Sequence, residues 1–195
     1  GARGMRDARA MTALAARTVD CKPHEVLVAS TGVIGHPLPM EKIEAGIVAA
    51  ARALRPEGLP KAARAILTTD LTPKCASLRT RIDGRSVTLA GIAKGSGMIE
   101  PNLATMLSFL ITDAAVAPPL LRKLLRAAAD ESYNRVTVDG ETSTSDTVFL
   151  LANGHAGNAL LRDAASAGAR HFAAALGELT QELARAIARD GEGAT

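Results

Sequence analysis

The chain has 195 residues, of which 47% are hydrophobic and 22% are charged, and its formal net charge is +3. A chain of this size can bury a hydrophobic core and form one domain or two small ones. Aromatic residues make up only 2% of it and the Lys and Arg residues are scattered, which argues against a nucleic-acid partner. Because no apolar run could span a bilayer and no secretion signal opens the chain, a cytoplasmic location without a membrane partner is expected.

The first third of the sequence predicts two helices and two strands. Residues 5–17 are Ala-rich with apolar positions at helical spacing, and EVLVASTGVIG at 25–35 predicts a strand that runs into a Gly-punctuated turn. MEKIEAGIVAAARAL at 40–54 is amphipathic and predicts a second helix. RAILTT at 64–69 predicts the second strand.

The middle of the sequence predicts a β-hairpin followed by a further strand. Residues 79–97 contain two β-type runs around Asp83 and Gly84, and Asp-Gly between such runs is a strong hairpin signal. The apolar run TMLSFLITDA at 105–114 predicts the next strand, with Thr105 at its start.

The last part of the sequence returns to helices. Residues 117–132 predict a helix opened by two prolines, 135–154 predict two strands around a polar loop, and 159–189 predict a long Ala/Leu helix. Hairpins mixed with helices are typical of an α/β fold of packed layers with a mixed, partly antiparallel sheet.

The segment GIAKGSGMIEPNLATMLSFLITDA at 91–114 is the most unusual part of the chain, since a Gly-rich stretch leads directly into an apolar strand. A tight loop before a strand would explain the glycines. A phosphate-binding loop does not fit, because that motif has Gly-Lys followed by Ser or Thr at the start of a helix. Here Lys94 precedes Gly95 and Ser96, and a strand follows.

Four blocks in the order found here resemble the ornithine acetyltransferase family, and the resemblance covers essentially the whole chain. The blocks are STGVIGHPLPMEKIEAGI, AILTTD, GIAKGSGMIEPNLATMLSFLITDA and VDGETSTSDTVFLLANG. The resemblance implies a layered α/β sandwich of the N-terminal-nucleophile type that cleaves itself between Ala104 and Thr105. Residues 1–104 would then be the C-terminal part of an α chain and 105–195 the N-terminal part of a β chain, which makes this chain an internal fragment.

The resemblance also implies the catalytic groups. Thr105 would be the nucleophile, and its freed α-amino group, with a pKa of about 7.7 to 8.0, can act as the base without a histidine. Thr31 and Gly32 match the family's oxyanion-hole pair, and backbone or hydroxyl donors at such a turn suit a developing oxyanion.

Substrate-binding positions follow from the same motifs. Lys94 matches the family's substrate-binding lysine and suits the carboxylate of an N-acetylated amino acid, while Glu192 matches an acidic residue suited to the amino group of ornithine. Thr105 also contacts substrate in the family. Leu71 stands where the family commonly has Thr after its Thr-Thr-Asp block, so one hydroxyl is missing here and the specificity at this position is in doubt.

The implied activity is transfer of an acetyl group from N-acetylornithine to glutamate, in arginine biosynthesis, through an acetyl ester on Thr105. No cofactor is needed, although some family members also take acetyl-CoA as donor, and the sequence leaves this open. The family's assembly is a heterotetramer of two α and two β chains. Two other functions remain open from the residues: an N-terminal-nucleophile hydrolase such as an aminopeptidase, and an inactive truncated scaffold.

The sequence predicts no metal site. No two histidines have the i, i+4 spacing of metal ligands on a helix. The four histidines are His24, His36, His155 and His171. Cys21 and Cys75 are isolated from each other and are expected to be buried thiols. The acidic loop DGETSTSD lacks the ligand order of an EF-hand, so its acids, Asp139, Glu141 and Asp146, are interpreted as part of a structured loop.

Overall fold

The computed structural model describes residues 1–99, 106–140 and 143–193 of the chain. The predicted cleavage site, Ala104 and Thr105, lies outside the described residues. The chain divides into two compact units, Gly1–Gly58 and Leu59–Thr195. Among the described residues, no helix combines the length and the apolarity needed to cross a bilayer.

The first unit is helical. Helices α1, Ala2–Val19, and α2, Met40–Arg52, pack against each other, and Pro23–Glu25 and Pro56–Gly58 form short 3-10 turns. Both predicted helices are confirmed, but the predicted strand over 25–35 is wrong. A strand satisfies its N–H and C=O groups on a neighbouring strand, and the described part of this unit contains none.

The described part of the second unit contains three α-helices and four strands, besides a short 3-10 turn at Tyr133–Arg135. In chain order they are α3 Leu59–Ala65, β1 Lys74–Ile82, β2 Arg85–Lys94, β3 Leu107–Thr112, α4 Pro118–Asp130, β4 Thr147–Ala152 and α5 Ala167–Arg189. The predicted strand over 64–69 is wrong, because the good helix formers of KAARA continue α3 and Ile66 N–H still donates to Ala62 C=O. Of the two strands predicted over 135–154, β4 is the one found in the described part of that range, and Val138 makes an isolated bridge to Ile99.

The four strands form one sheet in the order β1-β2-β3-β4, with antiparallel pairs except for the parallel pair β3 and β4. The predicted mixed, partly antiparallel α/β fold is thereby confirmed. The predicted hairpin is confirmed as well. Asp83 and Gly84 have φ angles of 50° and 78°, and this pair of positive values gives the two-residue turn whose twist matches the strands.

Helix α5 covers one face of the sheet and forms the core with it, which gives the predicted layers. A Cβ on Gly91 in β2 would lie 2.5 Å from Leu110 Cδ2 and 2.9 Å from Leu183 Cδ1, so a larger residue at this position would displace these two core side chains. The helix begins at Ala167 rather than at residue 159, because the Ser166 side chain caps it by accepting Ala169 N–H. Cys75 on β1, like Cys21, is exposed rather than buried.

At one end of the sheet β1, β3 and β4 begin and β2 ends, and we call it the loop end. The pairings place Lys74 opposite Ala93, Lys94 opposite Leu107, and Leu107 opposite Thr147. Helix α5 also finishes there, since Asp190 directly after it contacts Lys74. The loop end therefore collects side chains that are far apart in sequence.

Candidate active site

A buried group of charged side chains lies at the loop end. Lys74 Nζ donates to Asp70 Oδ1 at 2.7 Å and to Asp190 Oδ2 at 2.5 Å, and the three side chains are 1%, 0% and 6% exposed. One ammonium group thus joins the loop before β1 to the end of α5. Buried charges persist only when they are paired in this way, so Lys74 is central to this end of the unit.

Asp70 is held by backbone donors as well as by Lys74. It accepts Gly95 N–H at 2.7 Å and Thr68 N–H at 3.2 Å. Burial alone would raise the pKa of Asp70, but the hydrogen bonds from Lys74, Gly95 and Thr68 outweigh it and lower that pKa. The carboxylate is therefore ionised at neutral pH and fixes the backbone directly after Lys94.

Lys94 is the second buried cation of the site, and its side chain is 2% exposed. Its Nζ donates to Thr68 Oγ1 at 2.8 Å and lies 3.9 Å from Asp70 Oδ2. Burial lowers the pKa of Lys94, the charge of Asp70 opposes this effect, and Lys74 adds to it. An anionic ligand beside this ammonium group would stabilise its charged form.

The turn after Lys94 brings Glu192 to the same place. Ser96 Oγ donates to Asp190 C=O at 2.9 Å, and Glu192 N–H donates to Ser96 C=O at 2.7 Å. The carboxylate of Glu192 lies against Gly97, and its charge acts on Lys94. Two of the predicted substrate-binding residues, Lys94 and Glu192, are therefore brought together across this turn.

Asp146 is a partly buried carboxyl group whose charge also acts on Lys94. Its Oδ1 accepts Met106 N–H at 2.7 Å, while its buried Oδ2 has no hydrogen-bond partner among the described residues. Burial raises the pKa of Asp146 to about 7, although the Met106 hydrogen bond and the charge of Lys94 both act to lower it. The residue also lines a mostly apolar cavity of about 200 Å³.

Replacing Asp146 by Asn is expected to change how stability depends on pH. Because the pKa of Asp146 in the folded protein, about 7, lies above its ordinary value of 3.8, its stabilising contribution is complete below about pH 4 and is lost as pH rises through 7. Solvent reduces the size of this contribution, because Asp146 is only partly buried. Asp146→Asn should therefore raise the free energy of unfolding by about 1–2 kcal/mol at pH 8 and leave it unchanged at pH 4. Thermal unfolding at the two pH values checks this, and an equal effect at both would contradict it.

Three further predicted site residues are Thr31, Gly32 and Leu71. Thr31 and Gly32 belong to the first unit, in a segment without regular structure, so their role as oxyanion donors stays a prediction. The side chain of Leu71 is exposed, and the residue contributes its N–H to Asp190 Oδ2 at 3.0 Å. The substrate contact predicted for Leu71 also stays a prediction.

Four residues of the site were not singled out by sequence reasoning: Asp70, Lys74, Asp146 and Asp190. Asp70 lies within the Thr-Thr-Asp block, so a signal for it was present. Asp146 belongs to the acidic loop that was interpreted only as structure. The partners Lys74 and Asp190 are 116 residues apart, and no local pattern indicates such a pair.

Two carboxylates of the acidic loop, those of Asp139 and Asp146, accept backbone N–H groups. Asp139 accepts Met98 N–H at 2.6 Å and Ile99 N–H at 3.1 Å, which secures the far end of the turn that starts at Lys94. No three His, Cys, Asp or Glu side chains are grouped for metal binding within residues 1–99, 106–140 and 143–193.

Buried ionisable groups with shifted pKa values, gathered at one end of a mixed α/β sheet, are typical of an enzyme active site. Comparison with known proteins gives the family. The model of the ArgJ family matches residues 1–195, and the chain belongs to that family.

Relatives with assigned names agree with the family match. The chain is 56% identical to the arginine biosynthesis bifunctional protein ArgJ of Symbiobacterium thermophilum and 51% identical to that of Geobacter sulfurreducens, over all 195 residues. It spans about half the length of these relatives, 48% and 49%. A crystal structure of the ArgJ protein of Bacillus halodurans is similar with a TM-score of 0.48 and 46% identity, over 52% of this chain and 53% of that one.

Proposed function

We propose that the full-length protein transfers an acetyl group from N-acetylornithine to glutamate, through an acetyl ester on Thr105. The observation that carries the proposal is the placement of Lys94 and Glu192 on either side of one turn, at the sheet end that also holds Met106. Membership of the ArgJ family, whose named relatives are bifunctional proteins of arginine biosynthesis, supports it.

The first chemical step is self-cleavage. The hydroxyl oxygen of Thr105 attacks the carbonyl carbon of Ala104, and the peptide C–N bond breaks as an ester forms and the nitrogen takes a proton. Water then hydrolyses this ester, which leaves the carboxylate of Ala104 and a free α-amino group on Thr105. That amine has a pKa near working pH and serves as the base for later turnovers.

Acetyl transfer then follows a ping-pong route. Thr105 Oγ attacks the acetyl carbonyl of the donor, the amide C–N bond breaks, and ornithine leaves with a proton on its nitrogen. The α-amine of glutamate attacks the resulting ester and releases the threonine oxygen, which regains a proton. In this scheme Thr31 and Gly32 supply oxyanion donors.

The charges at the loop end suit this donor. N-acetylornithine carries a carboxylate and, at the end of its side chain, an ammonium group. The buried ammonium of Lys94 can pair with the substrate carboxylate, and the carboxylate of Glu192 can pair with the substrate ammonium group. Because ion pairs gain strength where water is excluded, burial of Lys94 favours tight binding of the carboxylate.

Strand pairing within the sheet supports the proposal that the two products of cleavage stay together. Strands β1 and β2 belong to residues 1–104 and strands β3 and β4 to 105–195, and β2 pairs with β3 along six residue pairs. Helix α5 of the second product packs on β1 and β2 of the first. The proposal therefore includes α and β chains that remain associated, assembled in the cytoplasm as two of each, with no cofactor.

An acetyl-transfer assay on the full-length protein tests the proposal. N-acetylornithine with an isotopically labelled acetyl group should pass its label to glutamate, and rapid quenching without glutamate should trap one acetyl group on Thr105. Acetyl-CoA in place of N-acetylornithine tests the second donor. Release of free acetate at the same rate with and without glutamate would contradict the proposal and favour a hydrolase.

A further inference from the structure

We infer that Gly97 is a specificity-determining position of the donor site, because its missing side chain leaves the space in which the Glu192 carboxylate lies. The inference rests on the proposed function, which assigns Glu192 to the ammonium group of N-acetylornithine. Gly97 touches Glu192 rather than substrate, so it is a positioning residue.

The contact between Gly97 and Glu192 leaves no room for a Cβ at position 97 unless the Glu192 carboxylate moves. A Cβ on Gly97 would lie 2.8 Å from Glu192 Cδ and 2.9 Å from each carboxylate oxygen. Carbon atoms in contact are ordinarily about 3.5–4.0 Å apart. Gly97 is not among the glycines with positive φ, so its backbone itself accepts a side chain. Space for Glu192, rather than backbone conformation, explains the glycine.

The backbone of Glu192 is anchored, so its side chain must absorb any displacement. Glu192 N–H is bonded to Ser96 C=O at 2.7 Å, Ser96 Oγ to Asp190 C=O at 2.9 Å, and Asp190 to Lys74 at 2.5 Å. Glu192 presents the far end of a flexible side chain to Gly97. Alanine at position 97 should therefore move the carboxylate at little cost to folding.

Displacement of the Glu192 carboxylate should affect the donor, N-acetylornithine, and the acceptor, glutamate, differently. The donor places an ammonium group at the end of its side chain, which the Glu192 carboxylate attracts, whereas glutamate places a carboxylate there. Lys94, which would pair with the α-carboxylate common to both substrates, is not in the displaced group. Gly97 therefore contributes to selection of the donor and not of the acceptor.

The test compares Gly97→Ala, Glu192→Gln and the double variant in the full-length protein, with Gly177→Ala as the matched control. A Cβ on Gly177 in α5 meets no atom within 4 Å, so this control should behave as the wild type. Gly97→Ala should lower kcat/KM for N-acetylornithine about tenfold and leave kcat/KM for glutamate within about twofold. In the double variant, Gly97→Ala should cause no loss beyond that of Glu192→Gln.

The outcomes separate this inference from the proposed function. If Glu192→Gln impairs use of the donor while Gly97→Ala does not, or if the two losses are additive, the role of Gly97 is wrong and the proposed function stands. If Glu192→Gln leaves donor use intact, the assignment of Glu192 and the inference fail together. A wild-type protein that transfers no acetyl group refutes the proposed function before any variant is compared.

Discussion

Replacement of Lys74 by methionine is expected to lower the free energy of unfolding by about 3–5 kcal/mol. Methionine keeps most of the side-chain volume but leaves Asp70 and Asp190 without the ammonium group that lies 2.7 and 2.5 Å from them. An ionised carboxylate that is buried and unpaired is strongly unfavourable. Chemical unfolding followed by circular dichroism measures the change.

A matched control and a second variant make the Lys74 prediction specific. Arg79→Met removes a cation from an exposed position of the same strand and should change the free energy of unfolding by less than about 0.5 kcal/mol. Adding Asp190→Asn to Lys74→Met should recover part of the loss, since one of the unpaired charges disappears. Equal, small effects of Lys74→Met and Arg79→Met would contradict the buried ion cluster.

The second large effect is expected on activity. Lys94→Met should lower kcat/KM for N-acetylornithine about 100-fold, because the substrate carboxylate loses a buried, charge-assisted partner. Stability should change much less than in Lys74→Met. Lys94 Nζ donates to the neutral hydroxyl of Thr68 at 2.8 Å, and Asp70 keeps its bonds to Lys74 and Gly95.

The control for Lys94 is a lysine elsewhere in the same unit. Lys123 is exposed on α4, and Lys123→Met should leave kcat/KM unchanged. Circular dichroism of both variants shows that they are folded. Activity of Lys94→Met within about threefold of the wild type would remove Lys94 from the substrate site.

Local signals predicted those parts of the fold that depend on local interactions. The hairpin at Asp83 and Gly84 follows from a turn in which both residues take positive φ, and two neighbouring residues suffice to specify it. Strand predictions failed over 25–35 and 64–69. A β-type run becomes a strand only where another strand pairs with it, and the run itself carries no information about that partner.

In the candidate site too, local motifs predicted individual residues but not the contacts between distant ones. Lys94 and Glu192 were predicted through motifs of the family, and their closeness depends on the Ser96 hydrogen bonds, which the motifs do not state. The pair of Lys74 and Asp190 joins residues 116 positions apart, through the packing of α5 on β1. Such long-range pairs follow from tertiary structure and leave no periodic pattern in the chain.

Intact mass spectrometry of the full-length protein, beside its Thr105→Ala variant, tests the central claim most directly. Self-cleavage at Thr105 predicts two wild-type fragments that meet between Ala104 and Thr105 and co-purify through the pairing of β2 with β3, and a single uncleaved chain for the variant. A single uncleaved mass for the wild type would contradict the self-processing nucleophile and favour an inactive scaffold.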